Sequence, residues 1–367
     1  MATSSKSTSI RKAQVPVSCY FCKGQDIKWK CEDCNVRMCK SCKVTIHQGL
    51  PSTQDHEAVS IQDISKSSPG FQAVTSVVVS SVFNSYTTTL PGIHSLLCSD
   101  DDLLYFQYGG TKSDYQHFFK GKLLKSSIKI LQTFKIRIYD MAMNQDGEIL
   151  FQDYDNNKIQ MLSPTGEIKS VLETSQMMAL AVHINKENEV IVGIREPGAA
   201  FPATNFSVRQ VIIFGGDYQR KGTLEFDKKG NKLFSYAARI RTDSKNVVYV
   251  IDHFDSDKNG RIVAVDRNCR LKFIYDEHTY SETFQPSGIT ITPSDNIVVA
   301  DYQNDALHVI NSNGELLGLQ FIFKDLNIND AYSLCFDAEG YLIIGCCAGE
   351  NEDFGKIWVV KIVDSLV

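Results

Sequence analysis

The chain has 367 residues, a formal net charge of −5 and 43% hydrophobic residues, a composition typical of a globular protein with more than one domain. Its longest apolar runs, such as Met177–Val182, fall well short of the roughly 18 residues that a membrane helix requires, and the N-terminus has no apolar signal-peptide core. We therefore expect a cytoplasmic protein in a reducing compartment, with no membrane partner.

Changes in composition divide the chain into four segments. Residues 1–18 are rich in Ser, Thr and Lys, which predicts a disordered tail. Residues 19–60 hold six of the eleven cysteines, and residues 61–73 have the Ser, Pro and Gly content of a linker. Residues 74–367 consist of short apolar runs separated by Asp, Asn and Gly turns. This last segment predicts an all-β domain, so we expect a mainly β chain.

The β segment contains an internal repeat. The sequence around Asp153 aligns without a gap with the sequence around Asp301, at an offset of 148 residues. A blade of four strands takes about 40–50 residues, so this offset corresponds to three blades of about 49 residues. By the same measure, the 294 residues from 74 to 367 correspond to six blades. The last repeat is one strand short, and a strand from residues 74–83 would complete it and close the ring. We predict a six-bladed β-propeller.

Asp153, Asp252 and Asp301 occupy equivalent positions of the repeat, and Asn304 follows the last of them in an Asp-x-x-Asn element. One interpretation is a ligand or metal site, since six-bladed propellers can hold a central metal used in ester or lactone hydrolysis. The other is a turn, because Asp and Asn hydrogen-bond their own backbone. The element recurs in repeats that otherwise differ, so we favour the turn and predict no enzyme activity and no catalytic residues.

The remaining histidines and cysteines of the β segment lie far apart in sequence. A lone histidine is more often a satisfied surface or core residue than a ligand, and a free cysteine usually behaves as a small buried hydrophobe. We expect structural roles for the six histidines from His94 to His308 and the five cysteines from Cys98 to Cys347.

Residues 19–60 have the spacing of a metal-binding segment. Three Cys-x2-Cys pairs are followed by two histidines, and the eight side chains are Cys19, Cys22, Cys31, Cys34, Cys39, Cys42, His47 and His56. Eight ligands suffice for two tetrahedral zinc ions, and full coordination leaves no position for a catalytic water. A disulfide framework is disfavoured in a reducing compartment, and a redox Cys-x-x-Cys would not need three copies or histidines. We predict two structural Zn²⁺ ions that supply the folding energy of this segment; spacing alone leaves sequential and interleaved pairing open.

This cluster resembles the B-box zinc finger of the tripartite-motif proteins, and the repeats resemble the C-terminal NHL-repeat β-propeller of that family, best at Ala300–Ile310. The resemblance implies interleaved ligands in two sets, namely Cys19, Cys22, Cys39 and Cys42 for one ion, and Cys31, Cys34, His47 and His56 for the other. Asp55 is the substitute ligand if His56 does not bind.

The sequence departs from the family pattern in two places. No Cys/His cluster precedes Cys19, so we expect the RING finger that recruits a ubiquitin-conjugating enzyme to be missing. The residues between His56 and Val74 leave no room for the long coiled coil through which the family dimerises. We therefore expect a zinc-binding, non-catalytic adaptor. The alternatives are a component of ubiquitin ligation that acts with a RING-bearing partner, and an RNA-binding regulator.

The family uses its propeller to bind proteins in some members and RNA in others. Residues 65–367 hold 29 basic and 37 acidic residues, and their sum of −8 disfavours RNA. Five basic side chains cluster around the third repeat, and we interpret them as a solvated edge; they are Arg209, Arg220, Lys221, Lys228 and Lys229. The long loop from Pro197 to Val208 is the first candidate partner site. We expect a protein partner, bound through the propeller or the B-box, and weak self-association through the B-box.

Overall fold

The computed structural model describes residues 19–24, 27–31, 36–47, 49, 56, 58–60, 74–108, 117–153, 158–174, 176–276, 283–349 and 352–367. The predicted tail (residues 1–18) and the predicted linker (residues 61–73) lie outside this described part. The chain divides into two compact units, Met1–Gln72 and Ala73–Val367. Within the described residues, no helix has the length and apolar character needed to span a bilayer.

The N-terminal unit combines a small antiparallel sheet with one short helix. Its strands are β1 (Trp29–Cys31), β2 (Val36–Met38) and β3 (Ala58–Ser60), arranged in the order β2-β1-β3. Helix α1 (Lys40–Cys42) continues directly into a π-helical turn, Lys43–His47. The buried hydrophobic cluster of the described residues is Cys19, Cys31, Met38 and Cys42. Three of these four are cysteines, so apolar burial alone is too small to hold the unit together.

The C-terminal unit is a ring of six antiparallel blades, each of four strands. Strand β4 (Val79–Thr87) comes first in sequence. Blade 1 contains β5 (Ser95–Cys98), β6 (Leu103–Gln107), β7 (Phe118–Leu123) and β8 (Ile128–Phe134). Blade 2 contains β9 (Ile138–Met143), β10 (Ile149–Asp153), β11 (Lys158–Leu162) and β12 (Ile168–Glu173). Blade 3 contains β13 (Met178–Ile184), β14 (Val190–Arg195), β15 (Arg209–Phe214) and β16 (Arg220–Leu224).

The second half of the ring follows the same plan. Blade 4 contains β17 (Ala237–Thr242), β18 (Val248–His253), β19 (Gly260–Val265) and β20 (Leu271–Tyr275). Blade 5 contains β21 (Pro286–Ile291), β22 (Ile297–Asp301), β23 (Ala306–Ile310) and β24 (Leu316–Phe321), followed by helix α2 (Ile322–Leu326). Blade 6 contains β25 (Ala331–Phe336), β26 (Leu342–Cys346) and β27 (Lys356–Ile362), and β4 is its fourth strand. The prediction of six blades is confirmed.

The ring is closed by pairing the two ends of the propeller. Strand β4 runs antiparallel to β27, so the predicted closing strand is confirmed, although it starts at Val79 and ends at Thr87. A buried side chain fixes the entry to this strand, because Gln320 Oε1 accepts hydrogen bonds from the N–H groups of Val78 and Val79 at 2.9 and 2.7 Å. Closure removes the exposed strand edges that would otherwise invite further pairing.

Burial decreases from the inner strands of a blade to its outer strand. Every residue of β22 and β23 is buried, whereas β12 is exposed or half-buried along its whole length. Strands buried on both faces are apolar almost continuously rather than in alternation. Neighbouring blades pack face to face, as where Leu307 of blade 5 joins the cluster that contains Leu334 of blade 6. The core therefore lies between the blades.

A polar side chain closes the hairpin between the first and second strands of a blade. Asn144 Oδ1 accepts hydrogen bonds from the N–H groups of Asp146 and Glu148 at 3.0 and 2.9 Å. Asn185 and Asp243 accept the equivalent pairs in blades 3 and 4. These local bonds are what Asp and Asn provide in turns, and they fix the ends of the inner strands at one mouth of the central channel.

Candidate metal centre

Four cysteines of the N-terminal unit converge on one point. The sulfur atoms of Cys19, Cys22, Cys39 and Cys42 all lie within 4.8 Å of one another, and the Sγ atoms of Cys22 and Cys39 are 3.9 Å apart. A tetrahedral zinc ion with Zn–S bonds of about 2.3 Å places its sulfurs about 3.8 Å apart. All four are free thiols, and their spacing fits zinc.

Local backbone geometry brings these sulfurs together. The Cys19–Cys22 pair lies in a tight turn in which Lys23 N donates to Cys19 O at 2.9 Å, with Lys23 at a positive φ of 60°. The Cys39–Cys42 pair spans the start of α1, where Cys42 N donates to Cys39 Sγ at 3.4 Å. Cys39 N in turn donates to Cys19 Sγ at 3.4 Å, which links the two pairs.

The same contacts act on the charge of the thiols. Burial opposes ionisation of Cys19, but N–H donors that include those of Cys22 and Cys39 outweigh it and lower its pKa to about 6. Burial raises the pKa of Cys42 to about 12, and the three neighbouring thiols add to that effect. Four thiols that share one small volume cannot all ionise without a cation, which is the chemistry of a metal site.

A second group of ligands forms beside the strand β1. Cys31, His47 and His56 have ligand atoms within 4.8 Å of one another, and Cys31 Sγ lies 3.8 Å from His56 Nδ1. His47 is buried, with 1% of its surface exposed, although most histidines are only partly buried. Cys34, the predicted fourth ligand, and Asp55, the predicted substitute for His56, lie outside the described residues.

Among the described residues, the Cys/His side chains group in an interleaved rather than a sequential order. The first and third cysteine pairs lie together, and Cys31 lies with the two histidines. This is the arrangement that the resemblance implied and that spacing left open. The donor set of four thiolates at one point, and of thiolate with imidazole at the other, is that of structural zinc sites. The binding of each ion by these particular residues stays a prediction.

The repeated aspartates of the propeller have structural partners. Asp252 is fully buried, its Oδ1 accepts the N–H groups of Ser235 and Tyr236 at 2.6 and 2.8 Å, and its Oδ2 lies 3.0 Å from Arg261 Nε. Asp301 Oδ1 accepts the N–H of Gln285 at 3.2 Å in the same way. Each carboxylate ties a second strand to the segment that enters its blade. In the described part of Ala73–Val367, no three His, Cys, Asp or Glu side chains lie close enough together to hold a metal ion.

The long loop of blade 3 is held by buried arginines at its base. Arg209 Nη2 donates to Ala200 O at 2.7 Å and lies 3.1 Å from Glu196 Oε1, and Arg195 Nη1 donates to Gly198 O at 3.0 Å. The side chain of Phe206 at the tip is 96% exposed. The loop is therefore an ordered projection that presents an aromatic ring to solvent.

This loop leans against aromatic rings at one mouth of the channel. The Phe201 ring lies 5.4 Å from that of Tyr236, and the Tyr236 hydroxyl lies 3.4 Å from that of Tyr139. Across the mouth, His94 stacks on Tyr332 at 4.3 Å. The sequence did not predict this cluster of rings, because the rings come together only when the first residues of the inner strands are aligned around the channel.

The sequence pattern of the five basic residues near blade 3 indicates a solvated edge, and the structure corrects this interpretation for one of them. Arg209 is not part of a solvated edge: its side chain is 2% exposed and is committed to the loop. Arg220 bonds to Thr223, and Lys221 Nζ lies 3.2 Å from Glu189. Lys228 and Lys229 are exposed, as expected.

Comparisons with known proteins agree with the two parts of the fold. Residues 14–61 match the family model described as B-box zinc finger. No curated protein matches the chain. The NHL character of the repeats stays a prediction.

Solved propeller structures resemble the chain at low identity. A catalytically inactive virginiamycin B lyase from Staphylococcus aureus with quinupristin has a TM-score of 0.51 and 17% identity, over 76% of this chain and 88% of that chain. A gluconolactonase from Xanthomonas campestris has a TM-score of 0.52 and 10% identity, over 74% and 87%. A streptogramin B lyase has a TM-score of 0.50 and 14% identity, over 76% and 97%. At these identities the likeness shows the fold alone.

The family match, the Cys/His clusters and the closed ring describe a zinc-binding propeller protein. The chain carries a B-box zinc finger followed by a six-bladed β-propeller, an arrangement consistent with the resemblance to the tripartite-motif proteins.

Proposed function

We propose that the protein is a non-catalytic, cytoplasmic adaptor that recognises a protein partner through the loop of blade 3 and the aromatic mouth beside it. The observation that carries this proposal is Phe206, 96% exposed at the tip of an ordered loop. The B-box holds two structural zinc ions in this proposal, one in each Cys/His group, and takes no part in chemistry.

The order of the loop favours tight recognition. Hydrogen bonds hold it from both strands at its base, and Thr204 N donates to Ser207 Oγ at 3.0 Å within its tip. Lys232 Nζ also contacts Ser207 O. A loop fixed before binding loses little conformational entropy in a complex. An exposed aromatic side chain on such a loop has the properties of an interface hot spot.

The surroundings of the loop favour a protein over RNA. Nucleic-acid binding draws on free cations around exposed aromatic rings. Here Arg209 and Arg195 are buried and donate to loop carbonyls, and Lys221 is paired with Glu189. Lys258 Nζ lies 4.9 Å from the centre of the Tyr332 ring and donates to its hydroxyl at 2.9 Å. These cations are therefore engaged within the protein, and the exposed ring of Phe206 suits a protein partner.

The test begins with a photo-crosslinking residue at position 206 of the full chain in cells, compared with the same residue at Phe323. Phe323 is also exposed, at 53%, but lies on α2 of blade 5. A protein crosslinked from position 206 and not from position 323 is then purified for binding measurements. Phe206→Ala should weaken its affinity by at least tenfold, as truncation of a hot spot does, while Phe323→Ala should leave it unchanged. Equal crosslinking from both positions, or RNA as the crosslinked species, would contradict the proposal.

A further inference from the structure

At the other mouth of the channel, opposite the aromatic rings, lies a cavity of about 430 Å³. Its wall includes one residue from the innermost strand of every blade. Each of these six residues lies opposite the second residue of the adjacent strand in the same blade. These six residues, which we call the channel ring, are Cys98, Ala142, His183, Arg241, Thr290 and Cys335. The volume falls in the range of small-molecule sites, about 300–1,000 Å³.

Arg241 is the one member of the channel ring that carries charge at neutral pH. Burial lowers the pKa of His183 to about 3, with Arg241 adding to the effect, and His183 Nε2 bonds to Thr242 Oγ1 at 2.9 Å. Burial also raises the pKa of Cys98 to about 12 and that of Cys335 well above its usual value. The ring therefore presents a guanidinium among neutral groups.

A second arginine of the same strand, Arg239, lies deeper in the channel and has a carboxylate partner, which Arg241 lacks among the residues that the structure describes. Arg239 Nε lies 3.8 Å from Asp140 Oδ1, and its other nitrogens donate to the carbonyls of Ala238 and His94. Arg241 donates to Ile240 O at 2.6 Å, and no carboxylate in the described part of the chain forms an ion pair with it. Asp140 thus pairs with Arg239 alone, and within the described residues the positive charge of Arg241 in the channel ring has no ion-pair partner.

An uncompensated guanidinium in a cavity wall is poorly solvated. Burial lowers the pKa of Arg241, and Arg239 adds to that effect while Asp140 opposes it. Arginine in such a position is suited to a planar anion, because its N–H groups form a fork that matches a carboxylate. At the rim, exposed Lys186 and Asp100 carry opposite charges and cancel.

We propose that this cavity binds a small organic monocarboxylate, with its carboxylate on Arg241. One net positive charge balances a monoanion, whereas a phosphate dianion would bring a second negative charge into a poorly solvated site. The half-buried side chains of Met143, Ile184 and Phe336 line the same cavity and would contact an apolar body. This site is separate from the proposed partner surface at the opposite mouth.

Benzoate is the first probe, measured by calorimetry on the zinc-loaded full chain, with benzamide and inorganic phosphate as comparisons. We expect saturable binding of one benzoate per chain, with both comparisons weaker by at least tenfold. Arg241→Gln should weaken benzoate binding at least tenfold, because a hydrogen-bonded charge pair is lost. The matched control Arg220→Gln, an exposed arginine on β16, should leave the affinity within about twofold.

Several results would overturn the proposal. They are the absence of saturable benzoate binding, equal or tighter binding of phosphate or benzamide, and unchanged affinity in Arg241→Gln. If Arg241→Gln does not fold, Arg241→Lys decides: it keeps the charge and loses the fork, so benzoate must bind more weakly than to the wild type, and wild-type affinity would refute the assignment.

Discussion

In the part of the chain that the structure describes, the buried cluster of the N-terminal unit consists of three cysteines and Met38, whereas a single cluster between two propeller blades holds sixteen buried hydrophobic residues. Cys19 and Cys42 lie with the sulfurs of Cys22 and Cys39, and Cys31 lies with His47 and His56. The buried cysteines of the propeller, such as Cys346, lie among apolar side chains. The same residue type thus offers a ligand atom for a metal ion in one unit and packs as a small hydrophobe in the other. What decides its role is whether apolar burial alone can hold the fold.

The largest effect should come from metal removal. Chelation should unfold the B-box and leave the propeller folded, because each structural zinc supplies on the order of 10 kcal/mol and the propeller draws its stability from packing. Hydrogen exchange followed by mass spectrometry reads each unit separately. Protection should vanish in residues 19–60, persist in the blades and return when zinc is added back; loss of protection in the blades as well would remove the contrast between the units.

The stability of the propeller should instead fall when a substitution creates a cavity in its apolar core. Phe151 is fully buried between blades, so Phe151→Ala should destabilise the propeller by about 3–5 kcal/mol. Leu131→Ala, at a side chain 47% exposed on β8, is the control and should change stability by less than about 0.5 kcal/mol. Zinc content should equal that of the wild type in both variants. Denaturant unfolding measures the loss of stability in Phe151→Ala. A change in zinc content in either variant would show that the two units depend on each other, which contradicts the expectation.

A buried ion pair gives the propeller a dependence on acid that apolar packing lacks. Glu189 is 4% exposed, and Arg267 NH groups reach its two oxygens at 2.5 and 2.9 Å. Burial opposes ionisation of Glu189, but the hydrogen bonds from Arg267, Asn185 and Lys221 outweigh it and lower its pKa from 4.5 to about 2. A carboxyl group whose pKa is lower in the folded chain than in the unfolded chain stabilises the fold at pH values above its unfolded pKa. Glu189 therefore loses this contribution to stability as the pH falls from about 4.5 to about 2.

Glu189→Gln should therefore remove on the order of 3 kcal/mol at pH 7 and flatten the stability profile between those pH values. Glu148 occupies the equivalent hairpin position of blade 2, where Asn144 Nδ2 donates to it at 2.9 Å. Glu148→Gln is thus the matched control and should keep most of the acid dependence. Unfolding curves at several pH values test this, and a profile in Glu189→Gln as steep as that of the wild type would refute the assigned role.

The smallest effect concerns closure of the ring. Gln320→Ala would leave the buried N–H groups of Val78 and Val79 without their acceptor, at a cost of about 2–3 kcal/mol. Gln145→Ala removes an exposed bond to Lys186 O and should be close to neutral. Hydrogen exchange should increase first in β4 and β27. Faster exchange spread evenly over all blades would show that the pairing of β4 with β27 is not the weakest point of the ring.

Much of the fold could be predicted because it repeats. The match between Asp153 and Asp301 set the period, and the missing last strand predicted closure by the N-terminal end of the propeller. The Cys/His clusters of the B-box could be anticipated because zinc requires fixed spacings. The pairing needed the structure, since sequential and interleaved connections satisfy the same spacing.

Features that depend on strand register were not predictable. Arg241 and His183 become neighbours in the channel ring only after the inner strands are aligned across β-bulges. The burial of Arg209 was also missed, because a run of basic residues gives no sign that one of them anchors a loop. In both cases the decisive contacts join residues that no short motif connects.

The most direct test of the account is elemental analysis of the purified full chain. The wild type should contain two zinc ions. Cys39→Ser and His47→Ala should each lose one of them, from different Cys/His groups, and the propeller variant Cys269→Ser should keep both. One zinc or none in the wild type, or two zinc ions retained in either ligand variant, would contradict the two-site B-box.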